Sequence, residues 1–167
     1  PKIDCTSFLL ICISFFSLIF APLKNPYFWQ SLLTIFLPKD EKYYCCAEIC
    51  MYENPEKAMD LINKACEINQ KPQYLQRKAE IFLFLEKYNE AIEIYKDILE
   101  KDSTYTQCYY MLSGAYKEIG DYKTCLEYAN KSILNNINVE SAYSLKAVCL
   151  RSLGKQEKAI ECLKNLQ

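Results

Sequence analysis

Between Pro72 and Tyr105, apolar residues recur at three- and four-residue steps: Leu75, Phe82, Leu85, Tyr88, Ile92, Tyr95, Ile98 and Leu99. Such steps put side chains on one face of a helix. A turn at Glu86-Lys87-Tyr88 divides the stripe, which predicts two helices in antiparallel contact. The next two blocks of equal length repeat the pattern. With Pro72, Thr106 and Glu140 as starts, the small residues Ala79, Ser113 and Ala147 coincide, as do Ala91, Cys125 and Ala159. The turns Gly120-Asp121-Tyr122 and Gly154-Lys155-Gln156 fall in register with the first. The period is 34 residues. A fixed period of this size, with one turn per unit, marks a solenoid of helix pairs. A degenerate unit precedes them, in which Tyr43, Ala47 and Cys50 lead through Asn54-Pro55 to Ala58, Ile62 and Ala65, each spacing about one residue short.

The pattern has a packing reason. Two helices joined by three or four residues approach closely only where the facing residues are small, so Ala79 with Ala91, and Ala147 with Ala159, mark the contact inside each pair. Large apolar residues fill the grooves on either side. A single pair leaves half of this surface wet, and the next pair covers it, so stability is a nearest-neighbour sum.

The spacing resembles that of the tetratricopeptide repeat. Block 106–139 carries Tyr109, Leu112, Ser113 and Tyr116, then Gly120-Asp121-Tyr122; block 72–105 carries Leu75, Ala79, Phe82, Tyr88, Ala91 and Tyr95; block 140–167 carries Tyr143, Ala147, Leu150, Gly154 and Ala159. Departures are Cys125 for the second-helix Ala, Ala129 for its aromatic, and Ser103 and Ile137 for the closing Pro. The resemblance implies an all-α, right-handed superhelical solenoid of antiparallel helix pairs over residues 38–167, with repeats at about 39–71, 72–105, 106–139 and 140–167.

Residues 1–37 have another character. The run from Phe8 to Ala21 has 14 residues without a charge and stops at Pro22, and a second run spans Tyr27 to Leu37. At about 1.5 Å per residue the first run reaches roughly 21 Å as a helix, short of a hydrocarbon core of about 30 Å. Three readings stand: a signal sequence or membrane anchor, giving membrane association through residues 8–37; a pair of apolar helices capping the solenoid; or an artefact of a fragmentary reading frame, since Pro1 is no initiator Met. The compartment is left open between a cytoplasmic and a membrane-associated repeat domain.

Charge and chemistry narrow the function. A formal net charge of −1, with no cationic run, argues against a nucleic-acid partner. The absence of histidine from the sequence removes Ser-His and Cys-His catalysis, and three glycines, Gly114, Gly120 and Gly154, form no phosphate loop. Gly120 and Gly154 read as helix terminators. Pairs such as Asp97 with Lys101 have the spacing of a solvated helical face. No catalytic residue, cofactor or metal is expected, so the protein reads as a non-enzyme. Of the ten cysteines, Cys46 and Cys50 would share a helix face as soft-metal ligands, but small-residue packing is the favoured role for cysteine here, as at Cys125. No disulfide framework is apparent, which points to a reducing compartment.

The resemblance places function on the concave surface lined by the first helix of each pair. Counting along the repeat, that face presents Gln73, Gln76, Glu80 and Leu83, then Gln107, Tyr110, Gly114 and Lys117, then Ser141, Ser144, Val148 and Arg151. Tyr110 is a rigid amphipathic contact, Lys117 and Arg151 can hold a carboxylate, and Gly114 leaves room for a ligand backbone. Repeats that clamp the C-terminal carboxylate of heat-shock chaperones use Lys and Asn where this chain has Tyr44 and Glu48, or Gln76 and Glu80, so that clamp is not expected. The implied function is a non-catalytic adaptor or scaffold that binds a peptide or helix of a protein partner. Alternatives are a structural subunit of a multiprotein complex and the repeat module of a larger membrane-bound enzyme. Ile160, Leu163 and Leu166 leave an apolar face at the last pair, to be covered by further chain or by another subunit.

Overall fold

A computed structural model describes residues 37–164. Eight helices follow in order: α1 (Lys39–Cys50), α2 (Pro55–Ile68), α3 (Pro72–Phe84), α4 (Tyr88–Lys101), α5 (Gln107–Glu118), α6 (Tyr122–Leu134), α7 (Val139–Ser152) and α8 (Gln156–Lys164). The described residues include no strand. The apolar runs within residues 1–36, with their anchor, signal and capping readings, lie outside the described residues. Among the described residues no helix is long and apolar enough to cross a membrane.

Local chemistry sets the helix ends. Asn54 caps α2 by accepting from the Lys57 N–H at 2.9 Å, with Pro55 in the first turn where a missing N–H costs nothing. Asp121 caps α6, accepting from the Thr124 N–H at 3.2 Å and from the Thr124 hydroxyl at 2.7 Å. The first helices of the last three pairs end alike. Gly120 and Gly154 take φ +80° and +75°, and the N–H of the following residue reaches back to the carbonyl five residues earlier, Asp121 to Tyr116 at 3.0 Å and Lys155 to Leu150 at 2.9 Å. The helix-terminating role read from the sequence is thus realised in a Schellman closure. Glu86 occupies the same repeat position and takes φ +59°, with Lys87 bonded to the Phe82 carbonyl at 2.8 Å.

Each helix packs on its sequence neighbours, and α5 also meets α7. The small residues lie at the closest approaches: Ala47, Ala58, Ala79, Ala91, Ser113 and Cys125 are completely buried. The central cluster runs from Ala79 through Ile92, Tyr95, Ile98, Leu112 and Tyr116 to Cys149, so one core crosses three helix pairs. A second cluster, with Ile62, Tyr74 and Ile81, joins the first pair to α3. Tyr128 of α6 stacks on Tyr116 and Tyr109 of α5, with centroids 5.6 and 6.4 Å away, and Lys131 lies 4.9 Å over the Tyr128 ring.

One expectation is corrected. Cys125 does stand at a helix contact where its sister repeats carry alanine, but it is joined to Cys149 of α7 in a disulfide, with Cα atoms 6.8 Å apart. The spacing of 24 residues belongs to no recognisable framework. Stacking α7 on α6 brings the two buried thiols together, so the cysteines do not point to a reducing compartment.

Candidate functional site

The expected groove residues are distributed over three first helices. Gln73, Gln76 and Glu80 lie on α3; Gln107, Tyr110, Gly114 and Lys117 on α5; Ser144, Val148 and Arg151 on α7. Gln76 and Gln107 come together in a cavity of 560 Å³ with Asp102, Tyr105 and Ile137. Ser144, Val148 and Arg151 line a second groove, of 430 Å³, with Ala159, Ile160 and Leu163 of α8. Gln73, Glu80, Tyr110, Gly114 and Lys117 line neither. Glu80 accepts from Gln76 at 3.0 Å and from Arg77 at 2.5 Å, and Lys117 pairs with Glu118 at 2.5 Å.

Gly114 differs from the other glycines. It sits inside α5 with an ordinary helical backbone, and a Cβ built there meets nothing within 4 Å. Glycine inside a helix costs about 1 kcal/mol relative to alanine. Nothing in the packing of the described residues requires it.

Two polar networks tie α3 to α1. Arg77 bridges Glu48 of α1 at 2.6 Å and Glu80 of α3, and Tyr44 donates to Glu48 at 2.9 Å. The places a chaperone-tail clamp would fill are thus occupied by internal pairs. At the start of α3, Tyr74 is fully buried and donates to Asp40 at 3.0 Å, while the Lys71 ammonium donates to the Tyr74 hydroxyl at 3.0 Å and pairs with Asp40 and Glu41. Burial pushes the Asp40 carboxyl up, but hydrogen bonds from Lys71 and Tyr74 outweigh it and hold the group below its ordinary range. Burial raises the Tyr74 phenol to about 12. Sequence reasoning missed these networks: the i,i+3 spacing of Arg77 and Glu80 was legible, whereas Glu48 lies 29 residues from Arg77 and Asp40 lies 34 from Tyr74.

Burial pushes the Cys108 thiol up to about 11 and raises those of buried Cys162 and half-buried Cys66 as well, which disfavours the thiolate. Among the described residues no three His, Cys, Asp or Glu side chains stand together as a metal site.

Eight helices thus stack pair on pair, the last three pairs in a 34-residue register. Residues 50–166 match the family described as the tetratricopeptide repeat protein 21 second ARM domain. The chain belongs to this family. No curated protein matches the sequence. Among solved structures it is similar to MamA 41-end from Desulfovibrio magneticus RS-1, at 18% identity and TM-score 0.70 over 77% of this chain and 73% of that one. A second MamA crystal structure gives 16% identity and TM-score 0.68 over 81% of each chain. BtubC (BKLC) from P. vanneervenii gives 16% and 0.69 over 75% of this chain and 61% of that one. At such identities the likeness concerns the tetratricopeptide-like fold, and the family domain shares it.

Proposed function

We propose that the repeat domain is a non-catalytic adaptor that binds a peptide or helix of a protein partner along its first helices, around Tyr110, Gly114 and Lys117. Gly114 is the observation that carries this reading. It lies one turn from half-buried Tyr110 and Lys117 on α5, a Cβ there meets nothing within 4 Å, and the packing of the described residues does not repay its cost to the helix. A ligand backbone approaching α5 closely gives the glycine its use, Tyr110 supplies aromatic contact, and Lys117 supplies a cation beside it.

Affinity capture with the full chain, run beside a Tyr110→Ala/Lys117→Ala variant, tests the reading. Loss of an aromatic hot spot costs about 2 kcal/mol, roughly thirtyfold in affinity, enough to remove a partner from the capture. Identical partners in both captures would sink the groove reading and leave a structural subunit as the better account.

A further inference from the structure

A cavity of 310 Å³ lies where α6, α7 and α8 meet. Leu126 of α6, Leu150 of α7 and Cys162 of α8 give it apolar walls, and Asn130, Lys146, Lys158 and Glu161 stand around them. Its origin follows from comparing repeats. Counted from each block start, Leu150 takes the place of Tyr116, Cys162 that of Tyr128, Asn130 that of Lys96 and Lys146 that of Leu112. In the earlier pair those places are packed. The Tyr116 and Tyr128 rings stack almost parallel, 6° apart in plane and 5.6 Å between centroids, and the Lys96 ammonium lies 5.4 Å over the Tyr116 ring. One repeat later a leucine and a cysteine stand where the rings stood, and a space remains between the corresponding helices.

The lining shows what such a space accepts. Ligand pockets run from about 300 to 1,000 Å³, so this one is small and has room for a single substituted ring. Aliphatic walls and a sulfur suit the faces of an aromatic ring, as the corresponding place in the earlier pair holds Tyr128. The Cys162 thiol already donates to the Tyr143 carbonyl at 3.7 Å, so its sulfur offers the cavity a soft apolar surface. Charge comes from the rim. Lys146 is half-buried and Lys158 exposed, and neither makes an ion pair among the described residues. Glu161 is the one carboxylate of the lining, so the two ammoniums leave a positive excess that favours an anionic substituent. An extended peptide fits less well, because one repeat earlier the stacked tyrosines fill the same place and the space does not run on from pair to pair.

We propose that this cavity binds a small aromatic acid, its ring held between Leu126, Leu150 and Cys162 and its carboxylate paired with Lys146 and Lys158. None of these residues belongs to the face assigned above around Tyr110, so either reading can fail without the other. The probe is 3-phenylpropionate, with its uncharged amide as control, titrated into the full chain by isothermal calorimetry and saturation-transfer NMR. The acid should bind saturably at millimolar concentration or below, and the amide about fivefold more weakly. Leu150→Tyr/Cys162→Tyr, which restores the two rings of the earlier pair, should abolish binding of both. Lys146→Ala/Lys158→Ala changes only the rim and should keep the native circular dichroism spectrum; it should weaken the acid about fivefold and leave the amide unchanged. If the double tyrosine variant fails to fold, the lysine variant still decides. Tyr110→Ala/Lys117→Ala should bind the acid normally. No saturable binding to the native chain, an amide that binds as tightly as the acid, or undiminished binding of the acid by the lysine variant or by a folded double tyrosine variant would overturn the proposal.

Discussion

Glu86 and Gly120 form a natural experiment within one chain. They occupy the same repeat position, close the same kind of helix end, and take φ +59° and +80°. A non-glycine residue in the left-handed region costs about 1 kcal/mol or more, whereas glycine loses roughly 0.5–1 kcal/mol more backbone entropy on folding. Glu86 is exposed and makes no ion pair among the described residues, so removing its side chain forfeits little else. The balance predicts that Glu86→Gly stabilises the domain by about 0.5 kcal/mol. Gly120→Ala reverses the exchange. An added Cβ meets nothing within 4 Å, so the loss of about 1 kcal/mol is conformational and not steric. For a domain of this size these changes shift the thermal midpoint by roughly +2 °C and −3 °C. Melting both variants and the native chain by circular dichroism reads the result directly. A fall in midpoint for Glu86→Gly, or no fall for Gly120→Ala, would refute the view that backbone conformation at the pair turn limits stability.

Three further outcomes follow from other parts of the fold. Gly114→Ala should raise stability by about 1 kcal/mol by thermal melting, because the helix interior has room for the methyl, and at the same time weaken partner capture; a stabilised chain that captures normally would leave the glycine without a ligand-binding role. Asp40 is held below its ordinary value of 3.8, so its network contributes fully above that value and fades as pH falls through the lowered one; melts from pH 7 down to pH 3 should fall less steeply below pH 4 in Asp40→Asn, which starts less stable at pH 7. Reducing the Cys125–Cys149 bond, or replacing both cysteines by alanine, opens a loop spanning 24 residues in sequence and should cost about 3 kcal/mol in denaturant titration, while mass spectrometry after thiol alkylation should show both cysteines blocked before reduction.

The 34-residue period and the turn inside each pair were legible from sequence because they depend on recurring small residues and turn residues. Small residues mark the closest contacts at Ala79 and Ala91, and Gly120 and Gly154 end helices. Such features act through local geometry that needs no partner. Glu86 was read as part of a turn in register with these glycines; that it shares their left-handed backbone came only from the fold.

What the stacking decided is longer in range. Arg77 meets Glu48, Tyr74 meets Asp40, and Cys125 meets Cys149 across 24 to 34 residues. The repeat says that neighbouring pairs touch but not which polar groups come within 3 Å, since that depends on the rotation of each pair against the next. Ile92 and Ile160 show the other side of this division: they share residue type and repeat position, the sequence already left Ile160 on an uncovered face at the last pair, and the structure buries Ile92 under α5 while no described helix lies across Ile160.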